Sequence, residues 1–338
     1  MTEPSPRPSS RSGEREPPDP ARGGPAADRP LLIVNPNAGG GRTGKQLATI
    51  RPVIERALGA CELAPTAGPG DAIRIAREAT QAKRSLVIAI GGDGTVHEVV
   101  NGVVEGGGTT PVGIIGTGTG GDFTKTLRIA HRLDHYLAAI KGGKECRVDV
   151  GLLTYRDHQG AERKRYFANI LSMGVGGMVD QYVANASRTF GSTLAYASAS
   201  VRAIRKSALA DVRLRITSDD GKTRTETLAT RLAAICNGQF FGSGMQVAPM
   251  AQPDDGRFEL LVLTATGRIA MMLGMRQIYT GDHVKRADIR HEPITAIEAS
   301  LVDERLTDRF LLDVDGEPLG TLPIKVELVR AAVAMRVP

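Results

Sequence analysis

The sequence has no tryptophan, and aromatic residues make up only 4% of its 338 positions. Nucleic-acid readers stack bases on aromatic rings, so this scarcity argues against a nucleic-acid partner. Cysteine is sparse too: Cys61, Cys146 and Cys236 stand far apart and form no CxxC pair. A reducing cytosol therefore fits best, with the cysteines expected as small buried hydrophobes. No run of about 18 apolar residues occurs, so no spanning helix is expected. The N-terminus lacks the apolar core of a secretory signal. Residues 1–29 hold almost no large apolar side chain and are dominated by Pro, Ser, Gly, Arg and Glu. Such a stretch cannot bury enough surface to offset its ordering entropy, so a disordered tail is expected there.

The rest has the composition of a folded protein, with 41% hydrophobic and 24% charged residues and a net charge of +6. The positive balance favours an anionic partner. The length suits two domains, placed at 30–146 and 147–338. In the first, apolar runs alternate with helical segments. LLIV precedes a helix over 44–58, a short strand lies at 61–63, and a helix covers 71–82 with Asp71 as its N-cap. SLVIAI and TPVGII are further buried strands, and a helix is expected over 133–140. This alternation predicts an α/β domain with a parallel sheet covered on both faces. After Cys146 the pattern becomes mostly short β segments split by turns such as SDDG. The second domain is therefore expected to be β-rich and sandwich-like, interrupted by helices over 192–208 and 269–280. The last strand is allowed to return to the first domain.

Three glycine loops follow predicted parallel strands, at the sheet end where ligands of open α/β folds bind. The first, NPNAGGGRTGKQ, nearly spells a P-loop, but Gln46 stands where a Mg²⁺-holding Ser or Thr is needed. The third, Gly116-Thr-Gly118-Thr119-Gly-Gly121, matches a dinucleotide fingerprint, yet falls in the last rather than the first βα unit. The second, Gly91-Gly92-Asp93-Gly94-Thr95, sets an acidic residue among glycines that let backbone approach a polyphosphate, with Glu98 one turn later. Such a carboxylate can engage Mg²⁺ or orient phosphates.

IGGDGTVHEVVNGV resembles the signature of the diacylglycerol-kinase-type catalytic domain. Diacylglycerol, sphingosine and ceramide kinases and bacterial YegS-like lipid kinases share it. NPNAGGGR, LAPTAGPGDA, GTGTGGDF, the run NGQFFGSGMQVAPMAQPDDGRFELLVL and DVDGEPLG are similar to the family's other motifs, in order, over almost everything after Leu31. The resemblance implies an ATP-dependent lipid kinase whose active site lies in the cleft between two domains. Carried over by position, Thr66, the segment Gly91, Gly92, Asp93, Gly94, Thr95, Val96 and His97, and Gly118 and Thr119 would contact ATP. Asn35, Glu98 and Asp122 would join the same pocket. Asp255, with the carbonyls of Gln252 and Arg257, would hold a structural Mg²⁺. Asp315 and Glu317 would be catalytic, with Asp315 slightly favoured as the general base.

Three departures from the family pattern stand out: Gly121 replaces an Asn, Gly116 replaces the Pro before it, and His97 stands where Asn is common. The acceptor would be diacylglycerol, ceramide, a sphingoid base or phosphatidylglycerol, reached at the inner membrane surface by a peripheral protein. A homodimer is compatible with the sequence. An NAD kinase is the alternative enzyme, and a silent lipid- or nucleotide-binding protein the alternative of another class. His131 and His135 are expected to be solvated, not zinc ligands. Arg202, Arg205 and Lys206 are read as a helix end that could also meet an anionic bilayer. Met271, Met272 and Met275 are read as core.

Overall fold

The computed structural model describes residues 28–118, 120–184, 192–264 and 267–338. Residues 1–27 of the expected tail, and Thr119, lie outside them. The first unit runs β1 (Leu31–Val34), α1 (Ala38–Leu58), β2 (Glu62–Pro65), α2 (Asp71–Gln81), β3 (Val87–Gly91), α3 (Asp93–Glu105), β4 (Val112–Gly116), α4 (Asp122–Thr126) and α5 (Leu133–Gly142). Its strands pair in parallel in the order β2-β1-β3-β4. β1 and β3 are buried along their whole length, as continuous apolar strands between two helical layers must be. α2 begins differently from the sequence expectation. Gly70, with a left-handed φ of 81°, is its N-cap, and Asp71 instead accepts a hydrogen bond from the Ala67 N–H at 2.9 Å.

The chain continues with β5 (Lys144–Arg156), β6 (Glu162–Phe167), β7 (Ile170–Gly174), α6 (Val175–Ala184), α7 (Ser192–Lys206), β8 (Ala210–Ser218) and β9 (Thr223–Cys236). A short pair, β10 (Phe240–Phe241) and β11 (Met245–Gln246), precedes β12 (Phe258–Thr264), α8 (Arg268–Ile278), β13 (Ile289–Leu301), β14 (Leu311–Val314) and β15 (Glu317–Val337). β12 pairs with both β13 and β9, and β13 with β8 and β15, so the sheet folds over its own apolar face in a sandwich-like unit. Leu214, Ile235, Phe258, Ile297, Phe310 and Val326 are among the residues of that core. α6 was not foreseen; two glycines in its first turn disguise the helical pattern.

β5 and β15 join the units. They pair antiparallel, and β15 also lies parallel to β4 through Met335 and Val112. Val148 and Val333 serve the first core, whereas Leu153 and Ile324 on the same two strands serve the second. The boundary drawn at 146 and 147 thus falls inside β5.

Other expectations change. Met272 is 40% exposed, and only Met271 and Met275 pack against an apolar cluster, that between α6 and α7. His131 and His135 are both exposed, as expected, and His131 also shares a 2.7 Å hydrogen bond with the Tyr136 hydroxyl.

Candidate active site

The parallel strands end in loops that hydrogen bonds stitch side by side. Asn35 N–H donates to Ile90, Thr66 N–H to Val34 and Thr117 N–H to Gly91, all carbonyls, at 3.0, 2.8 and 2.8 Å. In the first loop Gly39, Gly40 and Gly41 all have left-handed φ values, so regular helix starts only beyond them. Lys45 and Gln46 are exposed on that helix.

Three cavities lie in sequence across the cleft. The first, about 410 Å³, is walled by Asn35, Gly39, Thr66, Gly92, Gly94, Thr95, Glu98 and Glu317. The Thr95 hydroxyl is buried in its wall with no hydrogen-bond partner among the described residues, an orphan that a ligand oxygen would satisfy. The second cavity, about 150 Å³, is lined by Asp93, Asp122, Asp313, Asp315, Asn169 and Phe241, and shares Gly94 with the first. The third, about 90 Å³, is lined almost wholly by apolar side chains, including Leu232, Ala234, Leu261, Met271, Met275 and Ile278. It shares Phe241 with the second, and its Ser172 donates to Asp313 at 3.3 Å. Polarity is therefore highest in the middle cavity, with its four aspartates, and is lost at the apolar cavity beside helix α8.

Asp93 opens α3 and accepts from the Gly121 and Asp122 N–H groups at 3.0 and 3.1 Å. Burial, and then the nearby Asp122 charge, push its carboxyl up to about 6 against the pull of those bonds and of Lys125. Asp122 in turn accepts from Lys125 Nζ and from the Ser243 N–H, both at 2.8 Å, which ties the first unit to the second. Gly121 has a φ of +60°. That left-handed conformation suits Gly or Asn, which rationalises the exchange at this position.

The two carboxylates of the Asp-Gly-Glu turn differ sharply. Asp315, itself at φ +53°, accepts from the backbone N–H groups of Ala168, Asn169 and Ile170 at 3.0, 3.0 and 2.9 Å. His97 Nδ1 adds a fourth bond at 2.9 Å. A carboxylate so saturated is an anchor, and its geometry weighs against the base role first favoured for it. Among the described residues Glu317 makes no hydrogen bond; His97 Nε2 lies 3.9 Å from its carboxylate, and a third of its side chain is exposed. Burial, the largest influence, raises its carboxyl despite the opposing His97. It faces the first cavity, and a Cβ on Gly94 would lie 3.5 Å from its Oε1.

Several expected nucleotide contacts sit elsewhere. Val96 packs in the first core, and His97 is buried between Asp315 and Glu317 rather than facing the first cavity. Burial opposes its protonation most strongly, but the bond to and charge of Asp315, with Glu317, raise its pKa overall. Glu98 faces the cavity while its carboxylate receives the Gly70 and Ala72 N–H groups at 2.8 and 3.1 Å, holding the start of α2. Gly91 must lack a Cβ because one would fall 2.2 Å from the Thr95 hydroxyl, and Gly118 packs on Gly92.

In the expected metal loop the Asp255 carboxylate is held by a partly exposed arginine. Asp255 accepts from Arg257 N–H at 3.2 Å and pairs with its guanidinium at 3.0 Å, while Gln252 is exposed beside them. A cation would have to displace that guanidinium. Sequence reasoning also missed Asp149, buried in β5, whose oxygens receive the Gly256 and Ala331 N–H groups at 2.7 and 2.6 Å. The signal was a lone acidic residue inside the apolar run RVDVGLL, which demands buried partners.

Comparison with known proteins agrees with this layout. The family profile described as diacylglycerol kinase catalytic domain matches residues 29–153. The YegS C-terminal NAD kinase beta sandwich-like domain matches 169–337. A probable lipid kinase YegS-like of Pectobacterium atrosepticum is 30% identical over 272 residues, 80% of this chain and 83% of that protein. The diacylglycerol kinase of Bacillus subtilis is 28% identical over 297 residues, 87% of this chain and 91% of that protein. A solved structure from Bacillus anthracis, of a protein assigned as a diacylglycerol kinase, superposes with a TM-score of 0.73 at 26% identity. That superposition covers 92% of this chain and 97% of that one.

Proposed function

This chain belongs to the family of the diacylglycerol kinase catalytic domain and is a lipid kinase; from that premise we propose that it moves the γ-phosphoryl group of ATP to the hydroxyl of diacylglycerol or a closely related membrane lipid. The observation that carries this reading is the row of three cavities sharing Gly94 and then Phe241. A polyphosphate suits the glycine-walled end, where backbone N–H groups, a helix start and the orphaned Thr95 hydroxyl converge. An alkyl chain suits the apolar end, and the carboxylates lie between.

Mg²⁺ borne by the nucleotide would supply charge neutralisation at the transferring phosphoryl group, using phosphate and water oxygens beside Asp93 and Asp122. Glu317 is the general base: it takes the proton of the lipid hydroxyl as that oxygen bonds to the γ-phosphorus and ADP departs. Its raised pKa and lack of a close partner fit that work. Asp315 and His97 hold the turn that carries it. Neutral Thr66 and Asn35 complete the nucleotide wall.

The test is direct. Purified protein is given γ-labelled ATP, Mg²⁺ and, separately, diacylglycerol, ceramide, a sphingoid base, phosphatidylglycerol and NAD. Label is expected in diacylglycerol first among the lipids. Label in NAD alone, or in none of the five, overturns the proposal.

A further inference from the structure

Helix α8 presents two apolar faces and belongs to no core of its own: none of its residues is fully buried. Met271, Gly274, Met275 and Ile278, at helical spacing, line the apolar cavity. On the other side Ile269 is 77% exposed, Leu273 76% and Met272 40%. A single exposed leucine needs no explanation, but three large apolar side chains on one turn and a half do.

The charge carried by the two helices of this ridge has one sign, and the nearby Asp282 and Asp288 are paired with Lys285 and Arg286. α7 and α8 together carry Arg202, Arg205, Lys206, Arg268 and Arg276 and no acidic residue. Arg268 donates to the Ser207 carbonyl at 2.8 Å, so the start of α8 is fixed beside the basic end of α7. Among the described residues no helix is long and apolar enough to cross a membrane. Exposed apolar side chains on helices whose own charges are all basic match the interface of an anionic bilayer, where the chains enter the acyl boundary and the cations meet headgroups.

The geometry points to α8, with the basic end of α7, as the surface that docks this protein on an anionic bilayer, Ile269, Met272 and Leu273 entering the lipid. This deepens the lipid-kinase reading and rests on it for its purpose. Docking there sets the apolar cavity beneath α8 against the membrane, so a substrate chain passes from lipid to cavity without crossing water. Charge complementarity favours the bilayer over a second copy of the chain, since two such faces would repel.

Vesicle sedimentation tests it without using catalysis. Wild-type protein is mixed with vesicles of phosphatidylcholine alone or with phosphatidylglycerol added. Wild type is expected to bind the mixed vesicles more tightly. Ile269→Ser with Leu273→Ser should weaken that binding on the order of tenfold or more. Arg205→Gln with Arg276→Gln should weaken binding only to the anionic vesicles, with a smaller salt dependence. Wild-type-like vesicle binding by the double serine variant overturns the proposal. So does light scattering that shows a dimer which the serine substitutions dissolve while vesicle binding persists. A soluble short-chain diacylglycerol separates the two readings, because the serine variant should phosphorylate it at the wild-type rate. If wild type binds vesicles through α8 yet phosphorylates no lipid, docking stands and the catalytic assignment falls.

Discussion

The nucleotide side of the cleft is made mostly of main chain and the acceptor side mostly of side chains, so the two sides constrain sequence in different ways. In the first unit, glycine turns at three strand ends are locked by close approach and left-handed φ, and one atom too many is a clash. In the second, the apolar cavity draws on β7, β9, β12, α8 and the segments around them, and many apolar residues would serve at each place. Asp315 and Glu317 sit at the seam, one bound by four donors and the other nearly free. A wall of backbone can be damaged only by adding atoms or charge. A wall of side chains can be retuned.

The sharpest way to break this comparison is at the seam. Glu317→Gln should lower kcat by about 10²–10⁴-fold while leaving the melting temperature near wild type. Asp315→Asn should cost activity and also about 1–3 kcal/mol of stability, because its amide would face backbone donors that need an acceptor. If Asp315→Asn loses activity with no change in melting temperature and Glu317→Gln stays active, the anchor and the base have been exchanged.

On the nucleotide side, Asp93→Asn should reduce kcat/KM on the order of 10²-fold. Its carboxyl, raised to about 6, is ionised above that pH and neutral below it. Affinity for Mg²⁺·ATP should therefore rise as pH climbs through 6 in the wild type and stay flat in the variant, as measured by titration calorimetry. His97 works with the opposite sign. Its folded pKa lies above the usual value of about 6.5, so its pairing with Asp315 stabilises the fold fully below 6.5 and is lost as pH rises through the folded value. Melting curves against pH should show that loss, and His97→Asn should flatten it while costing about tenfold in activity.

Much of the first unit was legible because glycines and a helix start leave fixed spellings. Gly91 and Gly121 are where they are for steric reasons that a sequence can display. The roles of Asp315 and His97 were not legible, since a hydrogen-bond inventory depends on which distant backbone arrives beside them. Ala168, Asn169 and Ile170 meet Asp315 from about 145 positions away in the chain. The exposure of Met272 was hidden for a related reason: α8 is apolar on two faces, and apolarity alone does not say which face finds a core. Filling the cavity on its inner face sharpens the contrast between the walls. Met275→Trp should raise KM for the lipid about fivefold and leave KM for ATP unchanged. An equal rise in both would mean that the cavity communicates with the glycine loops.

The smallest effect is expected where the sequence most resembles a P-loop. Gly39 to Lys45 has the spacing of one, but Gly39, Gly40 and Gly41 are wound left-handed and Lys45 is exposed on the helix. Thr43, not Lys45, faces inward, sharing a 2.6 Å hydrogen bond with Thr117 of the third loop. The first loop therefore contributes shape to the cleft, while charge comes from Asp93, Asp122 and Glu317. Lys45→Ala should leave kcat and KM for ATP within about twofold of wild type, as a flexible exposed ammonium screened by water contributes little. A loss comparable to that of Asp93→Asn would place Lys45 on the phosphates and return the loop to the P-loop class.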